Sequence, residues 1–310
     1  MTEKFSENGL IIPENLMKKE CDAELVAVAC SQMFINHVLW EKESSFHSIS
    51  VCENQVGRFI NYGISFQAGI VNSSEYKGNI PYLNYFLIPY LLKPKARKIL
   101  VIGFGTGFLI KQIEQLFDNL IQIDAVDIEE NILHIATNFF NFEKSDKFNF
   151  NLQDALVFLR ENKTKYDYII VDVAGNVGVD ARFFEDDFFQ NIKKSLNKNG
   201  IFAFNSCANT DYDESDNSFY GFTVSQYKKY FNNFAVFDGK TSDEIYFRVF
   251  YGIDKRILDV SNVIFIASDN ENYFINTVKN SKIDFIRSFT IENSKIIKIF
   301  FVLTYCKTVK

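Results

Sequence analysis

Proline is scarce and unevenly placed: there are 4 in 310 residues, and Pro13, Pro81, Pro89 and Pro94 all fall in the first third. Beyond residue 94 nothing in the chain breaks an element by proline chemistry. Cysteine is also sparse. Cys21, Cys30, Cys52, Cys207 and Cys306 are odd in number, scattered and never spaced CxxC, which argues against a disulfide framework and predicts reduced thiols in a cytoplasmic protein. His37, His47 and His134 are equally dispersed, so no zinc-ligand spacing exists and no metal is expected. No apolar run approaches the roughly 18–20 residues of a membrane helix. Residues 1–7 show no basic stretch leading into an apolar core, so no secretory leader is expected. Cationic excess is missing as well: 33 Lys and Arg face 39 Asp and Glu, for a net charge of -6. That balance argues against nucleic acid or an anionic membrane as partner, since both reward clustered positive charge.

What the chain does have is apolar bulk. Hydrophobic residues make up 47% and include 34 Phe and 15 Tyr, a composition that packs a sizeable core and excludes disorder. Residues 46–71 read as short strands with turn signals, and 82–92 as an apolar helix ending near Pro94. Lys93-Pro94-Lys95-Ala96-Arg97-Lys98 reads as a solvated linker.

From Lys98 onward strand and helix alternate. Strands are expected at 99–102, 121–127, 148–152, 168–172 and 201–205, with helical stretches through Phe117, over 129–140, 155–161 and 186–196. This alternation predicts an α/β fold with a parallel sheet covered on both faces. Ligands on such sheets sit beyond the carboxyl ends of the strands. Gly103-Phe104-Gly105-Thr106-Gly107 follows the first strand, and Phe108 stands where a dinucleotide fingerprint requires Gly or Ala, which argues against an NAD enzyme. Asp127 ends the second strand, where a carboxylate can accept both ribose hydroxyls; its alternative role is a helix cap. Asp154 follows the third strand, and either caps the next helix or accepts from an adenine amino group. Asp172 ends the fourth strand, where the transferred group should lie. A glycine turn and three carboxylates at successive strand ends point to an adenosine site.

These residues resemble the polyamine aminopropyltransferases, the spermidine synthase family. Residues 99–107 resemble that family's first strand and GGGDG turn, and Val126-Asp127-Ile128-Glu129 its ribose-binding VDID segment. Asp154-Ala155 followed by Phe158-Leu159 resembles its adenine-binding segment, and Tyr166-Asp167-Tyr168-Ile169-Ile170-Val171-Asp172 its YDVIIVD strand. Phe46-His47-Ser48-Ile49 is similar to YQ-x-I, and residues 57–67 run without gaps to the position of the donor-binding Gln, here Gln67. Residues 183–189 resemble LF-x-x-EFY, and Tyr220-Gly221-Phe222-Thr223 the WGF-containing motif.

The resemblance implies a seven-stranded methyltransferase-type Rossmann sheet over 73–270, with a small β-rich domain at 44–72. Residues 1–43 are unmatched, and 271–310 form a C-terminal extension whose run 296–305 is expected to pair at a sheet edge or subunit contact. It further implies a donor pocket of Gln67, Gly103, Gly105, Thr106, Gly107, Asp127, Ile128, Asp154 and Ala155 for S-adenosylmethionine or its decarboxylated form. By the same resemblance the acceptor is a small amine and the protein a homo-oligomer, dimer or tetramer.

Three departures bear on the chemistry. The family's catalytic loop D-S-S/T-D-P appears as Asp172-Val173-Ala174-Gly175-Asn176, so Gly175 replaces the second Asp and Asp172 is left as the catalytic carboxylate. Thr106 replaces the Asp of GGGDG, and the Tyr-His/Gln-Glu triplet reads Tyr82-Leu83-Asn84. An acidic loop, Asp211-Tyr212-Asp213-Glu214-Ser215-Asp216, leads to Tyr220; Asp211, Asp213 and Tyr220 are expected to border the acceptor. Aminopropyl transfer is therefore the leading expectation. Methyl transfer from S-adenosylmethionine, or nucleoside binding without catalysis, are the alternatives.

Overall fold

The computed structural model describes residues 37–54, 57–63, 65–72, 77–79, 81–89, 93, 95–117, 120–173, 179–206, 219–238, 262–270, 291–292, 295–296 and 306–308. A five-stranded antiparallel sheet comes first, in the order β1 (His37–Glu43), β2 (Ser48–Asn54), β3 (Gly57–Tyr62), β4 (Ser65–Asn72) and β5 (Lys77–Asn79). It is wider than the expected 44–72 at both edges. The reason lies in the edge strands: β1 is exposed along nearly its whole length and β5 is the polar Lys-Gly-Asn. Neither carries the apolar alternation by which a half-buried strand is read. A 3-10 helix at Pro81–Leu87 follows, where a longer helix over 82–92 was expected; residues 90–92 lie outside the described residues.

The larger unit alternates as expected: β6 (Lys98–Ile102), α1 (Phe108–Leu116), β7 (Gln122–Asp127), α2 (Ile132–Phe139), β8 (Phe148–Leu152), α3 (Ala155–Glu161), β9 (Tyr166–Val171), α4 (Asp186–Ser195), β10 (Leu196–Asn205), α5 (Phe219–Tyr230), β11 (Asn233–Asp238) and β12 (Val263–Ser268). A two-residue pair, β13 (Ile291–Glu292) and β14 (Lys295–Ile296), and a final β15 (Cys306–Thr308) complete the described elements. Sheet order is β15-β11-β12-β10-β9-β6-β7-β8. Strands β6 to β10 pair in parallel, while β12 runs antiparallel to both β10 and β11. The expected seven-stranded sheet is thus present, with β15 added at the β11 edge. Of the run expected to pair at 296–305, residues 297–305 lie outside the described residues.

Both faces of the sheet are buried, and side-chain alternation sorts the residues between them. Ile99 and Val101 of β6, with Tyr168 and Ile170 of β9, join one core together with α1, α2 and the small sheet's Ile49, Val51 and Ile60. Leu100 and Ile102, with Ile169 and Val171, enter the other core with Phe188 and Phe189 of α4 and Tyr227 of α5. Polar contacts also hold the small sheet onto α2. Lys42 donates to Asn131 at the start of the helix (3.0 Å). At the other end Arg58 donates to the Phe139 carbonyl (2.7 Å), where the helix dipole favours a cation.

Candidate functional site

The strand order reverses between β6 and β9, so the ligand crevice is expected above their carboxyl ends. Here the chain turns sharply. Gly103 has φ 90°, and a Cβ on it would lie 2.0 Å from the Asp172 carbonyl oxygen. Only glycine lets the two strand ends abut this closely. At Gly107 (φ 74°) a Cβ would lie 2.4 Å from the Phe142 ring, which explains the glycine that opens α1. Gly105 faces the small sheet, since a Cβ there would meet Ala68 Cβ at 3.5 Å. Strand β4 therefore meets the turn at Ala68, the residue after Gln67.

Asp127 fastens this turn. One carboxylate oxygen accepts from Phe104 N (2.8 Å) and the other from Glu129 N (2.9 Å). Burial raises its pKa from the usual carboxylate value, while the backbone donors of Glu129 and Phe104 pull it back. The Ile128 backbone N–H acts on the same carboxylate, whose two oxygens together offer about four acceptor positions, so room is left for a ribose hydroxyl. Asp127 is not the cap of α2, which begins after Asn131. Half-buried Ile128 follows it at the strand end.

Asp154 takes the capping role: one oxygen accepts from Leu156 N (2.7 Å) and Val157 N (3.2 Å) at the start of α3. Its second oxygen receives Arg182 Nη1 at 3.4 Å, and Arg182 is itself held by Asp180. Ala155, buried, is the first residue of α3. Gln153 N donates to the Asp127 carbonyl (3.0 Å), which ties this strand end to the ribose-side carboxylate. Thr106 is 5% exposed, and its hydroxyl accepts a long bond from Phe108 N (3.4 Å), toward the helix backbone.

Asp172 sits where β9 ends. Tyr82 Oη donates to its Oδ2 (2.9 Å), and Asn205 Nδ2 donates to its Oδ1 (3.0 Å). Burial raises the carboxyl to a pKa of about 6, against the lowering effect of these two donors. Asn205 also donates to Asn262 Oδ1 (2.7 Å).

The crevice thus gathers Gly103, Gly105, Gly107, Asp127 and Asp172. Residues 174–178, with Gly175, and Asp211 and Asp213 lie outside the described residues. Tyr220 enters the first turn of α5, and its side chain also lies outside them. Sequence reasoning missed Asn205 and Asn262. Their signal was available as polar residues bounding strands that are otherwise apolar, Ile201-Phe202-Ala203-Phe204 and Val263-Ile264-Phe265-Ile266. It named Glu129 only as part of the segment resembling the ribose-binding one, and it missed His47 as a neighbour of the ribose side. Glu129 is fully buried, its Oε2 has no hydrogen-bond partner among the described residues, and its charge acts on His47 and Tyr62. His47 stacks on Tyr62, with ring centroids 4.3 Å apart, and burial lowers its pKa against the raising effect of the Glu129 charge, which favours the neutral ring.

A family model for the spermine/spermidine synthase domain matches residues 86–244, which is just over half of the chain and includes β6 to β11. The chain belongs to the spermine/spermidine synthase family. A polyamine aminopropyltransferase of Buchnera aphidicola subsp. Schizaphis graminum is 26% identical over 276 residues, covering 80% of this chain and 93% of that protein. One of Clostridium botulinum is 26% identical over 172 residues, covering 54% of this chain and 58% of that protein. Among solved structures, a spermidine synthase in complex with the transition-state analogue AdoDATO superposes with a TM-score of 0.60 at 15% identity, over 79% of this chain and 80% of that one. The spermidine synthase of Thermotoga maritima superposes with a TM-score of 0.58 at 15% identity, over 79% of each chain. These two likenesses bear on the fold, and it is the fold expected from this family's pattern.

Proposed function

We propose that this family member transfers an aminopropyl group from decarboxylated S-adenosylmethionine to a small amine, with Asp172 as the group that receives the acceptor's proton. The observation that carries this reading is the Asp172 carboxylate, at the strand end beside Gly103, pinned by Tyr82 and Asn205 and poised at a pKa of about 6. In the reaction the amine nitrogen attacks the carbon next to the sulfonium. Once the carboxylate has taken one proton from the acceptor ammonium, an N–C bond forms, the C–S bond breaks, its electron pair stays on sulfur as a neutral thioether, and the product nitrogen keeps its remaining protons as a secondary ammonium.

The nucleophile must first be neutral. A primary ammonium has a pKa of about 10.4, by analogy with Lys, against about 3.9 for an ordinary Asp. Raising Asp172 to about 6 closes roughly 2 units of that gap, about 3 kcal/mol. Desolvation of the bound ammonium lowers its own pKa and narrows the remainder. Asp127 fits the donor's ribose, since its carboxylate, held by backbone N–H groups at the strand end, has acceptor capacity beyond those bonds. On this reading the adenine amino group lies near Asp154 Oδ2, where it would share that oxygen with Arg182.

One observation favours a second reading, methyl transfer from S-adenosylmethionine. Thr106 is uncharged and its hydroxyl is turned to Phe108 N, so no carboxylate at this position repels the donor's own carboxylate. Purified protein incubated with each donor and a panel of di- and polyamines, with products read by mass spectrometry, separates the two. Aminopropylated amine and methylthioadenosine are expected from the decarboxylated donor. Methylated product from S-adenosylmethionine alone would overturn the proposal.

A further inference from the structure

Asn205 is 3% exposed and stands between two oxygens, Asp172 Oδ1 and Asn262 Oδ1. A carboxylate only accepts, so an ionised Asp172 requires the NH2 end of the Asn205 amide. Turning that amide by 180° would set its oxygen against the carboxylate and against Asn262 Oδ1 at once. Strand pairing makes the arrangement rigid: Asn205 lies opposite Ile264 in the β10–β12 ladder, and Ser206 N donates to the Val263 carbonyl (3.0 Å). Asn262 is thereby delivered beside Asn205, 57 residues away in sequence.

We infer that Asn262 is a positioning residue for Asp172: by accepting one Nδ2 hydrogen of Asn205, it holds the amide with the other hydrogen aimed at the carboxylate. The inference rests on the reading that Asp172 takes the acceptor's proton. Without the Asn262 oxygen, one of the two acceptors that demand the NH2 end is lost. A protonated Asp172 could then donate its O–H to a turned Asn205 oxygen, so the neutral acid gains a partner while the carboxylate loses a fixed one. Both effects raise the Asp172 pKa. Among the described residues the titratable group facing Asp172 is the Tyr82 hydroxyl from the 3-10 helix. The β6 turn presents Gly103 and β10 presents Asn205, and among the described residues no charged side chain acts on the carboxyl.

Carbon-13 NMR titration of the Asp172 carboxyl, assigned with Asp172→Asn, reads this without requiring turnover. From a midpoint of about 6, Asn262→Ala should raise it by roughly half a unit to one unit, the scale of one lost hydrogen bond. Asn205→Leu should raise it at least as far, and adding Asn262→Ala to Asn205→Leu should change nothing more, because Asn262 acts through Asn205. Asn262→Ser, which keeps a shorter acceptor and guards against misfolding of the Ala variant, should shift it less. The acid limb of kcat should move with the midpoint, while donor Kd stays within about twofold. An unchanged midpoint in Asn262→Ala, or a shift that adds fully to that of Asn205→Leu, would overturn the inference. Midpoint shifts with no transfer to any amine would sustain the positioning role and overturn the proposed reaction.

Discussion

The crevice has two halves built in different ways. The nucleoside half is built on strand ends and backbone: the glycine turn, Asp127 and Asp154 each start within two residues of a strand's carboxyl end, and the two carboxylates accept from backbone amides of their own and neighbouring turns. The transfer half is assembled from afar. Tyr82 reaches Asp172 across 90 residues, Asn205 across 33, and Asn262 reaches Asn205 across 57. The nucleoside half lets its carboxylates keep spare acceptor positions for a ligand, whereas the transfer half sets the proton affinity of a single carboxyl. Binding and chemistry should therefore separate under mutation.

The sharpest break is Asp172→Asn. It should lower kcat by about 10²–10⁴ and leave donor affinity nearly unchanged, as measured by steady-state kinetics and calorimetry. It should also stabilise the protein at high pH. The folded pKa of about 6 lies above the unfolded value of about 3.9, so the native state holds this proton more tightly. The stability contributed by that proton is full below about pH 4 and lost as the pH rises through 6. Asn imitates the protonated form, so the variant should melt above the wild type at pH 8 and together with it near pH 4. Equal melting at both would show that Asp172 is not held in a desolvated setting.

Gly103→Ala attacks the seam between the halves. Its Cβ would overlap the Asp172 carbonyl in a backbone region closed to alanine. The expected cost in denaturant unfolding is about 3 kcal/mol or more, with both donor binding and turnover lost. A cost under about 1 kcal/mol would mean that the strand ends separate easily.

Asp127→Asn tests the nucleoside half alone. Exchanging a carboxylate for a neutral amide should weaken donor binding by about 10–100-fold, the scale of charge-assisted hydrogen bonds, while kcat at saturating donor falls less. An equal loss in kcat would merge the two halves. The smallest effect belongs to Asp154. Asp154→Ala should cost about 1 kcal/mol of stability through the lost α3 cap, and Asp154→Asn only a few tenths, because Asn also caps. If the Asn variant binds the donor as tightly as wild type, capping is the whole of its role.

How legible each half was in the sequence follows from the same contrast. The strands β6 to β9 were readable because β-branched and aromatic runs end in Gly or Asp at the interval of βαβ units. Asp127 and Asp154 were both readable as either cap or ligand group, since the same carboxylate chemistry serves both; only the donors that folding brings to each oxygen separate them. The small sheet's edges were not readable, because β1 is exposed along nearly its whole length and the sequence of β5, Lys-Gly-Asn, has no apolar alternation. Asn205 and Asn262 were passed over because a polar residue at a strand end has no period, and its partner lies in another part of the chain.

By itself the sequence determined the sheet, the crevice position and the family, because burial on both faces forces apolar runs and ligand contacts gather where those runs stop. Only the tertiary structure decided what Asp172 is chemically. Its pKa depends on how far it is removed from water and on which donors touch it. Those are properties of chain segments brought together by folding rather than of the residues on either side of it.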